Sequence, residues 1–319
     1  MFKSCALSTS QLCSRSSVRD FPSRTDSIRS VFGAKRNLVC HRQPNAPACA
    51  HMQMGRRPLL NRGLLAGILG TSLVQGFGLA LPQMAAARGK PFSSNVDKVL
   101  DNVTWPDAWP YQKSDFQRFD ESPDTVFYDE PRFVTHIDDA AIAALTAYYA
   151  KVFPESGQSD TALLDVCSSW ISHYPEGFAA GRISGLGMNE EELARNPILS
   201  DFAVRDLNVN PLLPYEDNTF DVVTNTVSVD YLNKPLEMMK EVNRVLKPGG
   251  LAVMSFSNRC FPTKAISLWT ATGDPDHVWI VGSYFHYAGG FTSPQVDDIS
   301  PNPGRTDPMY VVYARKAEA

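Results

Sequence analysis

The first 87 of the 319 residues contain no tryptophan and only two acidic side chains, against eleven lysines and arginines. The rest of the chain reverses that balance, with nineteen basic residues, thirty-two acidic residues and all five tryptophans. A basic leader therefore precedes an acidic body, and an acidic body has no electrostatic footprint for nucleic acid. Cysteine is scarce where it would matter. Four of the six lie in the leader, and the body keeps only Cys167 and Cys260. Two cysteines exclude a disulfide framework and a four-cysteine zinc site. The body's histidines, His136, His173, His277 and His286, form no H-x-x-x-H pair, so no metal site is expected. What is present is a composition of 43% hydrophobic and 20% charged residues, enough for a buried core and too apolar for a disordered chain. No repeat of 20–50 residues recurs along the chain.

The leader reads as address information. Met1 to Met54 is rich in Ser and Arg and poor in acid, the composition of an organellar transit peptide. Arg56-Arg57-Pro58-Leu59-Leu60 then opens a second signal. Gly63 to Pro82 is uncharged and mostly apolar, and Ala85-Ala86-Ala87 offers a small-residue cleavage site. A twin-arginine pair, an apolar stretch and such a site form a bacterial-type export signal. The arrangement resembles a thylakoid lumen precursor of a plant or alga, with a plastid transit peptide over 1–54 and a twin-arginine-type thylakoid signal over 55–87. Retention of Gly63 to Pro82 as a membrane anchor is the alternative, since about 20 residues just span a bilayer.

The body opens with an N-terminal extension, 88–157. Trp105-Pro106-Asp107-Ala108-Trp109-Pro110 and Phe127-Tyr128-Asp129-Glu130-Pro131-Arg132 carry too many prolines for a long helix or a central strand. They predict an extended aromatic segment packed on the core, either a structural arm or a lid over a substrate. Asp138 then caps an amphipathic helix whose Ile142, Leu145, Tyr149 and Val152 face inward. From Thr161 onward short apolar strands alternate with helices. Strands are expected at Ala162–Val166, Arg182–Gly187, Ala203–Asp206, Phe220–Asn225 and Leu251–Phe256, with two closing strands at Gln295–Ile299 and Met309–Tyr313. Glu190 to Arg195 begins a helix, and Pro235 leads into the stripe Leu236, Met239, Val242, Leu246, which Lys247-Pro248-Gly249-Gly250 ends with a turn. Such alternation means an α/β fold with a mostly parallel sheet covered on both faces.

Two runs carry a resemblance: L-P-Y-E-D-N-T-F-D-V-V at Leu213–Val223 and P-L-E-M-M-K-E-V-N-R-V-L-K-P-G-G-L-A-V-M-S-F at Pro235–Phe256. The domain 158–319 resembles the class I S-adenosylmethionine-dependent methyltransferase superfamily, methyltransferase type 11 branch. Its Cys-Ser-Ser-Trp stretch and Asn-Pro-Gly-Arg tail are similar to a plastid group within it. The resemblance implies a Rossmann-like seven-stranded sheet with the last strand antiparallel, and S-adenosylmethionine as cofactor. It also implies three anchors: a glycine turn after the first strand, an acid ending the second for the ribose, and an acid after the third for the adenine.

Asp206, followed by Leu207, matches the adenine anchor, and Asp165 matches the acid closing the first strand. The glycine turn is replaced by Cys167-Ser168-Ser169-Trp170-Ile171, where Ser168 and Ser169 have hydroxyls to offer a carboxylate and Trp170 either fills the pocket or packs. Pro175 is expected to cut the following helix to about one turn. Gly187 stands where the ribose acid belongs, followed by Met188, with Asn189 and Glu190 as possible substitutes. Asn225, at the end of the fourth strand, completes the cofactor set. Asp230 and His286 are the candidate catalytic side chains, His286 having a suitable ordinary pKa.

The implied activity is methyl transfer in the plastid to a small-molecule or protein acceptor. The alternative is a catalytically inactive methyltransferase-like binding or assembly factor in the thylakoid. No nucleic acid is expected as a partner, and a membrane only through an uncleaved leader. If the leader is read correctly, terminal sequencing of the protein from isolated thylakoids should find a mature N-terminus near Arg88. A chain beginning well before Gly63, or one found only in stroma, would contradict it.

Overall fold

The computed structural model describes residues 95–318. The two-part leader and its cleavage site therefore lie outside the described residues. The described chain begins with two short 3-10 turns, Asn95–Lys98 and Lys113–Phe116, followed by α1 (Asp124–Phe127) and α2 (Asp139–Val152). Then come β1 (Gln158–Val166), β2 (Ala180–Gly187), α3 (Glu190–Arg195), β3 (Asp201–Val204), β4 (Phe220–Thr226), α4 (Pro235–Val245) and β5 (Leu246–Phe256). The chain closes with α5 (Ser267–Thr270), α6 (Asp274–Ala288), β6 (Gln295–Asp298) and β7 (Tyr310–Arg315). The seven strands form one sheet in the order β3-β2-β1-β4-β5-β7-β6, and β7 runs antiparallel to both neighbours while β1 to β5 are parallel. This is the expected Rossmann-like α/β sheet. The extension and the sheet belong to one compact unit.

Continuous burial explains why the strands read as apolar runs. Thr161 to Val166 of β1 are all buried. Leu163 joins α2's Leu145 and Tyr149 on one face, while Leu164 and Val166 join α4's Met238 and Val242 on the other. α2 is capped as expected, the Asp138 carboxylate accepting from Ala141 N at 2.9 Å. Its Tyr149 hydroxyl reaches Thr226 Oγ1 at 2.9 Å beneath the end of β4.

Three expectations need correction. First, no helix follows β1. Residues 168–179 run without helix to the start of β2. Pro175 removes a donor, and the loop's polar groups find other partners: Asn196 Nδ2 donates to Ser169 O and to Ser172 Oγ, both at 2.9 Å. Second, Lys247 to Gly250 do not follow the helix as a turn. They already belong to β5, at an irregularity in its pairing with β4. Third, β3 ends at Val204, so Arg205 and Asp206 stand beyond the strand.

α6 was not legible in the sequence. Eight of its fifteen residues are buried, because the sheet lies on one side and the extension on the other. Trp105 packs on Trp279 with ring centroids 5.3 Å apart, and Tyr111 Oη meets Ser283 Oγ at 3.1 Å. Gly282 permits this approach: a Cβ there would lie 2.7 Å from Leu100 Cδ2. The first half of the extension is thus a structural arm.

The second half is a strap pinned by buried charge. The Arg118 guanidinium donates through Nη1 to both oxygens of Asp124 at 2.7 Å. Lys264 Nζ, from the segment after β5, lies 3.4 Å from Asp124 Oδ1 and 3.2 Å from Asp120 Oδ2. Asn208, after β3, donates to Asp124 Oδ2 at 2.9 Å. The side chains of Arg118, Asp124 and Lys264 are 5%, 6% and 1% exposed, so each is buried only because the others are there. Asp124→Ala should cost about 3–5 kcal/mol by removing the buried carboxylate that Arg118 and Lys264 share. Urea denaturation measures the loss, and limited proteolysis should then cut first within residues 118–136.

Candidate functional site

A cavity of about 640 Å³ opens over the carboxyl ends of β1 to β5 and is walled on its outer side by the strap. Open parallel sheets bind ligands at such a place, where strand order reverses, here between β1 and β4. The volume lies within the range of roughly 300–1,000 Å³ usual for small-molecule and cofactor sites.

The floor is Asp165, the next-to-last residue of β1. Ser168 Oγ donates to its Oδ2 at 2.7 Å and Thr224 Oγ1 to its Oδ1 at 3.1 Å. Burial pushes the carboxyl up to about 6. Cys167 follows in the left-handed region with φ +60°, the conformation that makes glycine the easy choice at such a turn. Its thiol and that of Cys260 are free, and both line the cavity. Burial pushes the Cys167 thiol up to about 12, so it is a neutral wall and not a nucleophile.

On the far side, β2 ends at Gly187, where a Cβ would lie 2.1 Å from Ser168 O and 3.2 Å from Leu193 Cδ2. No side chain fits there. The Asp206 carboxylate, beyond β3, accepts from Asn208 N and Val209 N through Oδ1 at 2.8 and 3.2 Å, and Oδ2 carries no hydrogen bond among the described residues. The opposite half of the cavity is aromatic and cationic. Arg132 lies 4.4 Å over the Phe127 ring and 5.7 Å from that of Phe261. Tyr231 Oη accepts from Phe261 N at 2.8 Å, which leaves its own proton to donate. Burial holds His173 down at about 4, and burial with the Arg132 charge lowers His136, so both imidazoles are neutral near pH 7.

A methyltransferase-domain family model matches residues 173–254, the segment from the loop after β1 into β5. That segment is similar to a methyltransferase domain. Among curated relatives, the ubiquinone/menaquinone biosynthesis C-methyltransferase UbiE of a Ruegeria species is 50% identical over 46 residues, 14% of this chain and 18% of that one. The demethylmenaquinone methyltransferase of Staphylococcus aureus is 33% identical over 100 residues, 29% of this chain and 42% of that one. The chain thus spans less than half the length of either relative. Among solved structures, that of the (4+2)-cyclase SpnF aligns with a TM-score of 0.43 and 18% identity, over 61% of this chain and 92% of that one.

The cavity gathers most of the expected residues. Asp165, Cys167, Ser168, Ser169, Gly187, Met188, Asp206 and Leu207 all line the cavity. Ser168 needs correction, because its hydroxyl proton is given to Asp165 rather than offered to a ligand. Ser169 keeps its hydroxyl free. Trp170 does not fill the cavity: its Nε1 donates to Val134 O at 3.1 Å and so fastens the strap. Asn189 is spent, accepting from Glu192 N and donating to Tyr128 O and Asp129 O. Asn225 lies below the cavity, fully buried, its amide donating to Val166 O at 3.1 Å.

Neither catalytic candidate is brought in. His286 is exposed at the end of α6 and stacks on Trp105 at 5.0 Å. Asp230 is 2% exposed behind Tyr231, with one carboxyl oxygen unpartnered. The sequence reading placed Tyr128 and Arg132 only within a possible lid, and it missed His136, His173 and Phe261 as lining residues. The two histidines had been weighed only for metal spacing, and the pairing of residues 128–136 with the segment after β5 has no local signal. Among the described residues no three His, Cys, Asp or Glu side chains gather as metal ligands would.

Burial pushes Asp230 up to about 8 from an ordinary 3.8. Between those values the folded chain holds the extra proton, so the stability contributed there falls as pH rises. Asp230→Asn should flatten that fall. Urea denaturation from about pH 4 to about pH 8 tests it, an unchanged slope meaning that native Asp230 is already ionised.

Proposed function

We propose that this protein is a methyltransferase using S-adenosylmethionine, with the acceptor bound beneath the strap. The observation that carries the reading is the cavity at the β1/β4 reversal, where the Cys167 turn and the open Asp206 oxygen face a common space. The residues fit the cofactor. Cys167 holds the left-handed turn without glycine, Asp206 Oδ2 is free for the adenine amino group, and the Ser169 hydroxyl is free for the amino-acid end. Leu207, 5% exposed, supplies an apolar surface beside Asp206.

When bound, S-adenosylmethionine supplies an electrophilic methyl group. The chain's own part is orientation and exclusion of water. The strap closes the outer side, Tyr231 offers a proton to an acceptor, and Arg132 places positive charge beside the aromatic wall. Methyl transfer draws mainly on proximity and alignment, so an ionised base is not required. The acceptor is a small molecule or a protein. No feature of the cavity or of the relatives favours the inactive alternative. The reading includes a plastid address, and within it the thylakoid lumen, supported by the Ser- and Arg-rich leader and by Arg56-Arg57 ahead of an apolar stretch.

Calorimetric titration with S-adenosylmethionine and S-adenosylhomocysteine tests the reading. Both should bind, and Asp206→Ala should weaken them by about 1–3 kcal/mol, the cost of an unmade hydrogen bond. Protein that is folded by circular dichroism yet shows no thermal shift at millimolar concentrations of either compound would overturn it.

A further inference from the structure

We propose that the ribose diol of the cofactor is held by Glu192, from the first turn of α3, and not by any residue at the end of β2. The inference rests on the methyltransferase reading above and adds a residue to it.

Four carboxylates surround the cavity: Asp124, Asp165, Glu192 and Asp206. A vicinal diol presents two O–H donors, and an ionised carboxylate is their strongest side-chain acceptor. Asp124 is fully engaged by Arg118, Lys264 and Asn208. Both oxygens of Asp165 accept, from Ser168 and Thr224. Two carboxylates keep a free oxygen. One is Asp206, at the β3 side. The other is Glu192, whose Oε1 accepts from Arg132 N at 2.6 Å while Oε2 has no hydrogen bond among the described residues.

Sheet order then decides between them. β2 lies between β1 and β3, and α3 starts directly after it, so Glu192 stands between the Cys167–Ser169 turn and Asp206. In the cofactor's covalent structure the ribose lies between the adenine and the amino-acid arm. With the adenine at Asp206 and the arm at the turn, the ribose falls over the end of β2. Gly187 has no room for a side chain, and Asn189 has both amide protons spent on the strap and its oxygen already held by Glu192 N. Glu192 is third in its helix after the Asn189 cap. From that position a glutamate commonly folds back onto the cap N–H. Here it bonds the strap and lines the cavity instead. Burial raises its carboxyl, a cost that two hydroxyl donors would offset.

The test compares S-adenosylhomocysteine with its 2′,3′-dideoxyribose analogue by calorimetry on the intact protein. The wild type should prefer the parent compound by tenfold or more. In Glu192→Gln, which keeps an acceptor for Arg132 N, the preference should fall to threefold or less. Glu192→Asp, which keeps the charge but withdraws it, should fall likewise and covers the case of a Gln variant that does not fold. Asp206→Asn should weaken both compounds and leave their ratio unchanged. A ratio preserved in the Glu192 variants, absent in the wild type, or lost in Asp206→Asn would overturn the assignment while leaving cofactor binding intact. Failure of the parent compound to bind the wild type would overturn both readings.

Discussion

The buried carboxylate of Asp124 is the constraint on which the cavity depends. It is touched by the strap, by the loop after β3 and by the segment after β5 together. A buried ion network of this kind adds little net stability over a well-packed apolar core. Its value lies in register. Arg118, Lys264 and Asn208 lose their buried partner unless Asp124 sits in one place, and that place sets where Tyr128, Arg132 and His136 meet the ends of the strands.

Much of the fold was legible because local chemistry and global topology agree. The Asp138 cap, the Glu190–Arg195 helix, the Pro235 helix start and each of the seven strands lie within a few residues of their expected bounds. The exceptions share a cause. α6 is buried on both sides, so no amphipathic stripe marks it. The loop after β1 forgoes its helix because Ser172 and the backbone of Ser169 find a partner in Asn196, 24 and 27 residues away. The acceptor half of the site comes from residues whose only link is spatial. Pattern in sequence reports a periodic face, and these residues have none.

The rewritten turn shows how a site can change its residues and keep its backbone. Cys167 occupies a conformation that a β-carbon disfavours, and the cost is met by surroundings that over-determine it: Ser168 N bonds to Leu186 O at 2.8 Å, and the Ser168 side chain bonds to Asp165. Gly187 is the counterpart. The glycine freedom absent from the turn is spent one strand over, where Ser168 O crowds the end of β2.

The strap also dictates an order of assembly. Ser122 and Lys264 are 142 residues apart in the chain yet share a hydrogen bond of 2.7 Å. Contacts of such separation form late, after the loop entropy they require has been met by other structure. The strap is made early, ahead of every strand, and its partners Trp170, Asn189, Glu192 and Asn208 follow in turn, but its last anchor is supplied only after β5. The buried charge network is complete only when Lys264 arrives, which makes its completion a late product of folding.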